Sequence, residues 1–233
     1  MKIGLLGYGK MGKTIEGIAV KRGHEITLKV DKDDDRLDLS NVDVAIDFSM
    51  PTTAFSNIKT CLENGTPVIC GTTGWLDDYP KAVELCNENG GAFLYASNFS
   101  LGVNIVFKMN ELLAKMMSDL DEYAADIEEI HHTQKLDAPS GTAISLANGI
   151  IENSNYDSWT LDQPKGNQLG ITAKRLPDVP GTHIVSYNSE VDTIKLEHIA
   201  HSRAGFALGA VIAAEWILDK KGVFNMRDVL NLG

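Results

Sequence analysis

The stretch Lys2-Ile3-Gly4-Leu5-Leu6-Gly7-Tyr8-Gly9-Lys10-Met11-Gly12 decides how the first half of the chain folds. Residues 2–6 are a short apolar run that reads as a strand, and the glycine-rich turn follows at once. Residues 13–22 carry Ile15, Ile18 and Ala19 on one helical face, with Gly23 at the position of a C-cap. A second strand over 25–30 then ends at Asp31, 19 residues beyond Gly12. Strand, glycine loop, helix, strand and acid in this order are the sequence pattern of a dinucleotide site. Gly7 permits the tight turn, Gly9 lets backbone approach a pyrophosphate, and Gly12 lets helix and strand pack closely. Asp31 is placed to accept hydrogen bonds from a ribose 2′-hydroxyl, which favours NADH. Lys32 beside it would tolerate a 2′-phosphate and leaves NADPH open.

Outward from this unit the alternation continues. Residues 42–48 form a near-continuous apolar strand of the kind buried in a parallel sheet. The 11 residues from Asp31 to Asn41 are barely enough for a crossover, so a short irregular connection is expected. A helix with Phe55, Ile58 and Leu62, a strand over 67–70, a helix over 77–88 and a strand over 92–96 follow. The repeated βαβ pattern predicts a Rossmann-type, doubly wound α/β sheet with right-handed crossovers. Ligands of such sheets lie beyond the strand carboxyl ends, where Gly71-Thr72-Thr73 and Ser97-Asn98-Phe99 both fall.

From Gly102 the pattern changes. A helix over 103–117 has Ile105, Val106, Met109, Leu112, Leu113 and Met116 on its apolar face, the methionines expected as core filler. A strand over 126–130, a helix over 143–151, a polar irregular segment over 153–170 and strands over 171–176, 182–188 and 193–198 make an α+β domain with an open mixed sheet. A long apolar helix over 206–218 and a short closing element over 223–230 end the chain. The expected division is 1–101, with 206–233 packing back onto it, and 102–205.

Between strand and helix of the second domain stands Glu129-Ile130-His131-His132-Thr133-Gln134-Lys135-Leu136-Asp137-Ala138-Pro139-Ser140-Gly141-Thr142-Ala143. Two imidazoles, an ammonium and a helix N-terminus within a dozen residues suit an anionic substrate and a proton transfer. Ser140 is expected first as the N-cap, and Asp137 as a loop residue closing an Asx-type turn. His183 and His198 fall in strands and read as structural; His24 and His201 read as surface residues.

Composition narrows the classes. A net charge of −11 disfavours nucleic acid and anionic membrane as partners. No apolar run reaches the roughly 18 residues of a membrane span. Cys61, Cys70 and Cys86 lack metal-type spacing and read as reduced thiols of a cytoplasmic protein, with no metal expected. A nicotinamide-sensing regulator would need a DNA-binding element, and no helix-turn-helix pattern is present.

Over nearly its full length the chain resembles the 4-hydroxy-tetrahydrodipicolinate reductase (dihydrodipicolinate reductase) family. The most specific part is Glu129-x-His-His-x-x-Lys-x-Asp-Ala-Pro-Ser-Gly-Thr-Ala143. Asp47-Phe-Ser, Gly71-Thr-Thr-Gly, Asn98-Phe-Ser-x-Gly-Val-Asn104, Gly181-Thr-His183, the His198–Ala207 pattern and Met226-Arg-Asp-Val-Leu230 support it. Other two-domain dehydrogenases of small amino acids share the nucleotide half but lack this signature. The resemblance implies NADH- or NADPH-dependent reduction of a small cyclic dicarboxylate in lysine and diaminopimelate biosynthesis. It implies His131 and Lys135 as proton carriers, and His132, Ser140, Gly141 and Thr142 as substrate holders. Gly7, Gly9, Lys10, Met11, Gly12, Asp31, Gly71, Thr72, Thr73, Ser97, Asn98, Phe99 and Arg203 would serve the cofactor. Residues 102–205 would bind substrate and build a homotetramer through the open sheet, and domain closure would complete the site. Three departures stand out: a glycine loop one residue shorter than in many relatives, a truncated segment from Asp31 to Asn41, and Leu176–Pro180 where a glycine-rich turn is usual.

Overall fold

The computed structural model describes residues 1–31, 34 and 37–233 of the chain, so Lys32 and its suggested 2′-phosphate role lie outside the described residues. The chain divides into two compact units, Met1–Leu101 with Ala204–Gly233, and Gly102–Arg203.

The first unit begins β1 (Lys2–Leu6), α1 (Lys10–Lys21), β2 (Glu25–Val30), β3 (Val44–Asp47), α2 (Pro51–Glu63) and β4 (Val68–Cys70). A 3-10 turn (Leu76–Asp78), α3 (Tyr79–Glu88) and β5 (Ala92–Tyr95) follow. It is the doubly wound sheet expected, six parallel strands in which β3 and β2 flank β1 and β4 and β5 extend beyond β3. Alternation along each strand feeds two cores. Ile3, Leu5, Val44, Ile46, Ile69 and Leu94 face α1, whereas Leu6, Ala45, Val68, Cys70 and Phe93 face α2 and α3. Helix α1 starts at Lys10, three residues earlier than the periodicity suggests, so Gly9 is its N-cap and Gly12 lies in its first turn. Among the described residues no helix joins β2 to β3.

The second unit contains α4 (Leu101–Met117, its first residue shared with the first unit), β6 (Ala124–His131), α5 (Gly141–Ile151), β7 (Ser158–Thr160), β8 (Gln168–Arg175), β9 (Gly181–Asn188) and β10 (Thr193–Ala200). Its mixed sheet runs β10-β9-β6-β8-β7, antiparallel on the β9 side of β6 and parallel on the β8 side. Strand β7 arises inside the segment expected to be irregular. One face of this sheet packs Ala125, Ile127, Leu169, Ile171, Val185 and Tyr187 against Ala114 of α4 and Leu146, Ala147 and Ile150 of α5.

Two expectations are corrected here. The methionines of α4 do not fill the core: Met109 and Met116 are 50% and 71% exposed, and with Ile105 and Leu112 they line the outer side of the helix. Val106, Phe107 and Leu113 pack inward, because α4 is apolar on both faces and the sheet covers only one. His24 is not a free surface residue, since its Nε2 lies 2.6 Å from Glu215, which also binds Arg22.

The chain then returns to the first unit through α6 (Ala204–Ile217), β11 (Gly222–Phe224) and α7 (Met226–Leu230). Strand β11 adds to β5 as the sheet's sixth strand. Helix α6 is apolar around most of its surface because it lies between α1 and the sheet. At Gly209 it approaches the loop after β5 so closely that an added Cβ would sit 1.7 Å from the Phe99 carbonyl oxygen. Gly209→Ala is therefore expected to destabilise the protein by about 3 kcal/mol, the upper range of overpacking costs, as a lowered midpoint in chemical denaturation.

Candidate functional site

The glycine loop of the first unit separates into structural and open positions. Gly7 has φ of +93°, and a Cβ there would meet the Phe48 carbonyl oxygen at 2.2 Å. At Gly12 a Cβ would meet the Gly7 carbonyl oxygen at 2.5 Å. Both glycines are required by the fold itself. Gly9 differs: a Cβ there has nothing within 4 Å and its φ is not left-handed. Nothing in the fold requires a glycine at this exposed N-cap, which has no side-chain cap, so its bare backbone is open to a ligand. Lys10 is exposed and Met11 half-buried in the first turn. Beside them is a cleft of about 290 Å³ lined by residues that include Gly7, Gly9, Asp31, Phe48, Ser49 and Asn57. An uncapped helix N-terminus for phosphates and a carboxylate at the far strand end fit a dinucleotide.

A buried carboxylate joins the loops around this cleft. Asp47, at the end of β3, accepts from the Thr72 hydroxyl (2.5 Å), from Asn57 Nδ2 (2.7 Å) and from the Ser49 hydroxyl (3.0 Å). The Thr72 hydroxyl in turn accepts from the Ser49 backbone N–H (2.9 Å), and the Thr72 carbonyl accepts from Trp75 Nε1 (2.8 Å). Thr72 is thus buried inside the loop it was expected to lend to a ligand, and the exposed member is Thr73. Phe48 tilts against Phe99 at 5.6 Å, and its ring fills the space where Gly71 lacks a side chain. Phe99 is core, so only its backbone is on offer. Ser97 is exposed, and Asn98 Oδ1 accepts from the Ser100 N–H (2.9 Å). Burial raises the Asp47 pKa against these hydrogen bonds.

In the second unit, β6 turns from core to chemistry along a single face. Ala125 and Ile127 are buried in the apolar core, and Glu129 and His131 continue that face at the strand end. Register places His183 of β9 opposite Glu129, and Arg175 of β8 opposite His131. Glu129 is 0% exposed. Its Oε1 accepts from the Ser140 N–H and from Arg175 Nη2, each at 3.1 Å, and its Oε2 lies 3.1 Å from His131 Nδ1. Burial alone would raise its pKa; His131, Ser140 and Arg175 outweigh burial and hold it at about 2. His183 places Nε2 3.1 Å from the Ser140 hydroxyl, with its ring edge-on to His131 at 5.1 Å. Burial, then the neighbouring His131, lowers its pKa to about 4, so it is neutral at pH 7.

The loop after β6 is shaped by Arg175, which donates to the carbonyls of Asp137 (2.6 Å) and Lys135 (3.3 Å). Lys135 Nζ donates to both Asp137 carboxylate oxygens at 2.8 and 2.9 Å. The expected Asx-type turn is corrected. It would need an N–H two residues beyond Asp137, and that residue is Pro139. Ser140 is the N-cap of α5, accepting from the Ala143 N–H at 3.2 Å, so its hydroxyl is already engaged. Gly141 is exposed with open space where a Cβ would stand, Thr142 is half-buried beside it, and His132 is half-buried at the strand end. Arg203 is exposed in the turn before α6. Sequence reasoning gave Asp47, Glu129 and Arg175 no role and read His183 as scaffold alone. The spacing of Glu129 and His131, two apart on one strand face, was the available signal.

Two outcomes follow from this geometry. Gly9→Ala is expected to leave the melting temperature within about 2 °C, because its methyl meets nothing within 4 Å, and to weaken dinucleotide binding about tenfold or more by calorimetry. Between pH 6.5 and 4 the unfolded chain binds a proton that folded His183 rejects, in surroundings that include His131, Glu129, His198 and Lys135. Stability is therefore expected to fall as pH drops through that window, by up to about 1.4 kcal/mol per pH unit from this residue. Denaturant titrations of His183→Asn are expected to show a shallower slope.

Comparison with known proteins identifies the family. Residues 1–99 match the family model described as dihydrodipicolinate reductase, N-terminus, and residues 102–230 the model described as dihydrodipicolinate reductase, C-terminus. A 4-hydroxy-tetrahydrodipicolinate reductase of Christiangramia forsetii is 56% identical over 99% of this chain and 98% of its own length. Among solved structures, a dipicolinate-bound dihydrodipicolinate reductase from Paenisporosarcina sp. TG-14 aligns with a TM-score of 0.82 at 23% identity, covering 98% of each chain. An amine dehydrogenase from Mycobacterium smegmatis shares the fold at a TM-score of 0.63 and 9% identity, covering 96% of this chain and 94% of its own. With both halves matched and a full-length relative at this identity, the chain belongs to the dihydrodipicolinate reductase family of oxidoreductases.

Proposed function

We propose a division of labour for this family's reaction, the reduction of 4-hydroxy-tetrahydrodipicolinate to tetrahydrodipicolinate. The first unit is assigned to the nicotinamide dinucleotide and the second to the cyclic dicarboxylate. The observation that carries the second assignment is the grouping of His131, the start of α5 and Arg175 around one buried carboxylate, with Arg175 also holding the loop that carries Lys135. A bound NADH or NADPH supplies the hydride. Gly7, Gly9, Lys10, Met11 and Gly12 form its phosphate cradle, with Asp31 at the ribose. Gly71, Thr73, the backbone of Thr72, Ser97, Asn98 and Phe99, and Arg203, complete the cofactor set.

The substrate's charge sets the rest. A dicarboxylate needs donors at two ends. The N-terminus of α5, with Gly141 and Thr142 in its first turn, suits one carboxylate, since peptide N–H groups and the helix dipole converge there. Ser140 holds that helix start in place, and His132 serves the other end. After loss of water the ring is a conjugated imine, and reduction also requires a proton at the atom next to the one that receives hydride. Lys135, ion-paired with Asp137, delivers it from its ammonium group. His131 shares proton transfer with Lys135. The buried, free thiols Cys61, Cys70 and Cys86 support a cytoplasmic enzyme, and among the described residues no helix is long and apolar enough to cross a membrane. The mixed sheet of the second unit ends in an exposed edge strand, β10, with Ile194 and Ile199 outward. Such a surface supports assembly as a homotetramer.

Loss of reduced-nicotinamide absorbance in the presence of the dihydrodipicolinate synthase product tests the activity, with NADH and NADPH in parallel. Turnover with at least one is expected, and none with either at micromolar enzyme overturns the reading. In the same assay Lys135→Ala is expected to lose more than about 100-fold in kcat, the scale of a general acid. A near-unchanged kcat would remove Lys135 from its role.

A further inference from the structure

The two oxygens of Glu129 are used unequally. Oε1 is saturated by Ser140 and Arg175. Oε2 is buried without a hydrogen-bond partner, and so is His131 Nδ1; these two unpartnered atoms lie 3.1 Å apart. The distance is that of a hydrogen bond, but the N–H direction is off the line. The next polar atom, His183 Nε2, is 3.9 Å from Oε2. Both side chains leave the same face of β6, so the backbone holds them side by side with the two atoms within hydrogen-bond reach. Catalytic hydrogen bonds in ligand-free enzymes are often misaligned in this way and tighten when substrate binds.

At the opposite edge of the ring the neighbouring strand carries no side chain. A side chain at Gly181, the first residue of β9, would stand 3.1 Å from His131 Nε2. Glu129, His131 and His183 also bring ligand atoms within 4.8 Å of one another, as a metal site would. The Arg175 guanidinium on the same carboxylate already supplies the positive charge, which favours a proton site over a cation site.

We propose that Glu129 is a positioning residue that holds His131 in its Nδ1–H tautomer and leaves Nε2 to exchange the proton with the substrate. An ionised carboxylate behind an imidazole fixes which nitrogen carries hydrogen and steadies the imidazolium formed during transfer. The inference rests on the reading of His131 as a proton carrier. The same carboxylate anchors Ser140 and Arg175, so the test must separate action through His131 from support of the loop.

Glu129→Gln, His131→Ala and the double variant form a cycle, measured at saturating cofactor. His131→Ala is expected to lower kcat about 100-fold. Glu129→Gln is expected to do the same with substrate KM within about threefold of the parent. The double variant is expected to stay within about threefold of His131→Ala, because a residue acting through His131 has nothing left to act on. An unchanged kcat in His131→Ala overturns the proton-carrier reading, and this inference with it. A loss in His131→Ala with multiplicative effects in the double variant, or a KM rise in Glu129→Gln that accounts for its loss, overturns the role of Glu129 alone. The unmutated holoenzyme gives a second readout that does not depend on any variant folding. With nitrogen-15-labelled histidine, neutral His131 is expected to carry its proton on Nδ1, and a proton on Nε2 overturns the proposal.

Discussion

A carboxylate that stays ionised with no exposure to water is the constraint on which the second unit is built. Glu129 is tolerable at 0% exposure only because a guanidinium, a backbone N–H and an imidazole surround it. Each of those partners belongs to a different element. Ser140 begins α5, Arg175 ends β8, and His131 ends β6. Satisfying one buried charge therefore brings together the helix start, the strand end and, through the Arg175 contacts, the loop that carries Lys135. The requirement is electrostatic, but its result is geometric.

The first unit solves a similar problem with the opposite sign of shift. Asp47 is also a fully buried carboxylate at a strand's carboxyl end, and its partners are hydroxyls, a side-chain amide and the Ser49 backbone N–H. No cation faces it among its partners, and burial raises its pKa instead of being overcome. Both carboxylates fasten loops to the ends of a sheet. The partner set decides which of them is held as an anion far below the ordinary carboxylate range.

The alternation of periods made the Rossmann sheet legible, because its strands are buried on both faces and its helices carry one apolar stripe. What stayed hidden has identifiable causes. Strands β7 and β11 have three residues each, all half-buried, and so lack both a period and the apolar run that marks the equally short β4. Periodicity along α4 revealed apolar faces but not which would be covered, so Met109 and Met116 were placed in the core when they lie outside it. Site residue types were visible in the 129–143 stretch, whereas the partners of Glu129 depend on register: His183 and Arg175 are distant in sequence and meet it only because β9 and β8 flank β6. The contact between Lys135 and Asp137 was within reach, since Pro139 has no N–H for the turn expected there.

The path of the chain between its two units fixes an order of completion during synthesis. Residues 102–203 enter and leave the nucleotide-binding fold as a single insertion, and α6, β11 and α7 are made last. The second unit's sheet is therefore fully synthesised while the first sheet still lacks its sixth strand and the helix that buries the α1 side of its core. Until α6 emerges, Ile3, Leu5, Val44 and Leu94 lack part of their cover, and the nascent chain presents an unfinished apolar face. The nucleotide-binding half is started first and finished last.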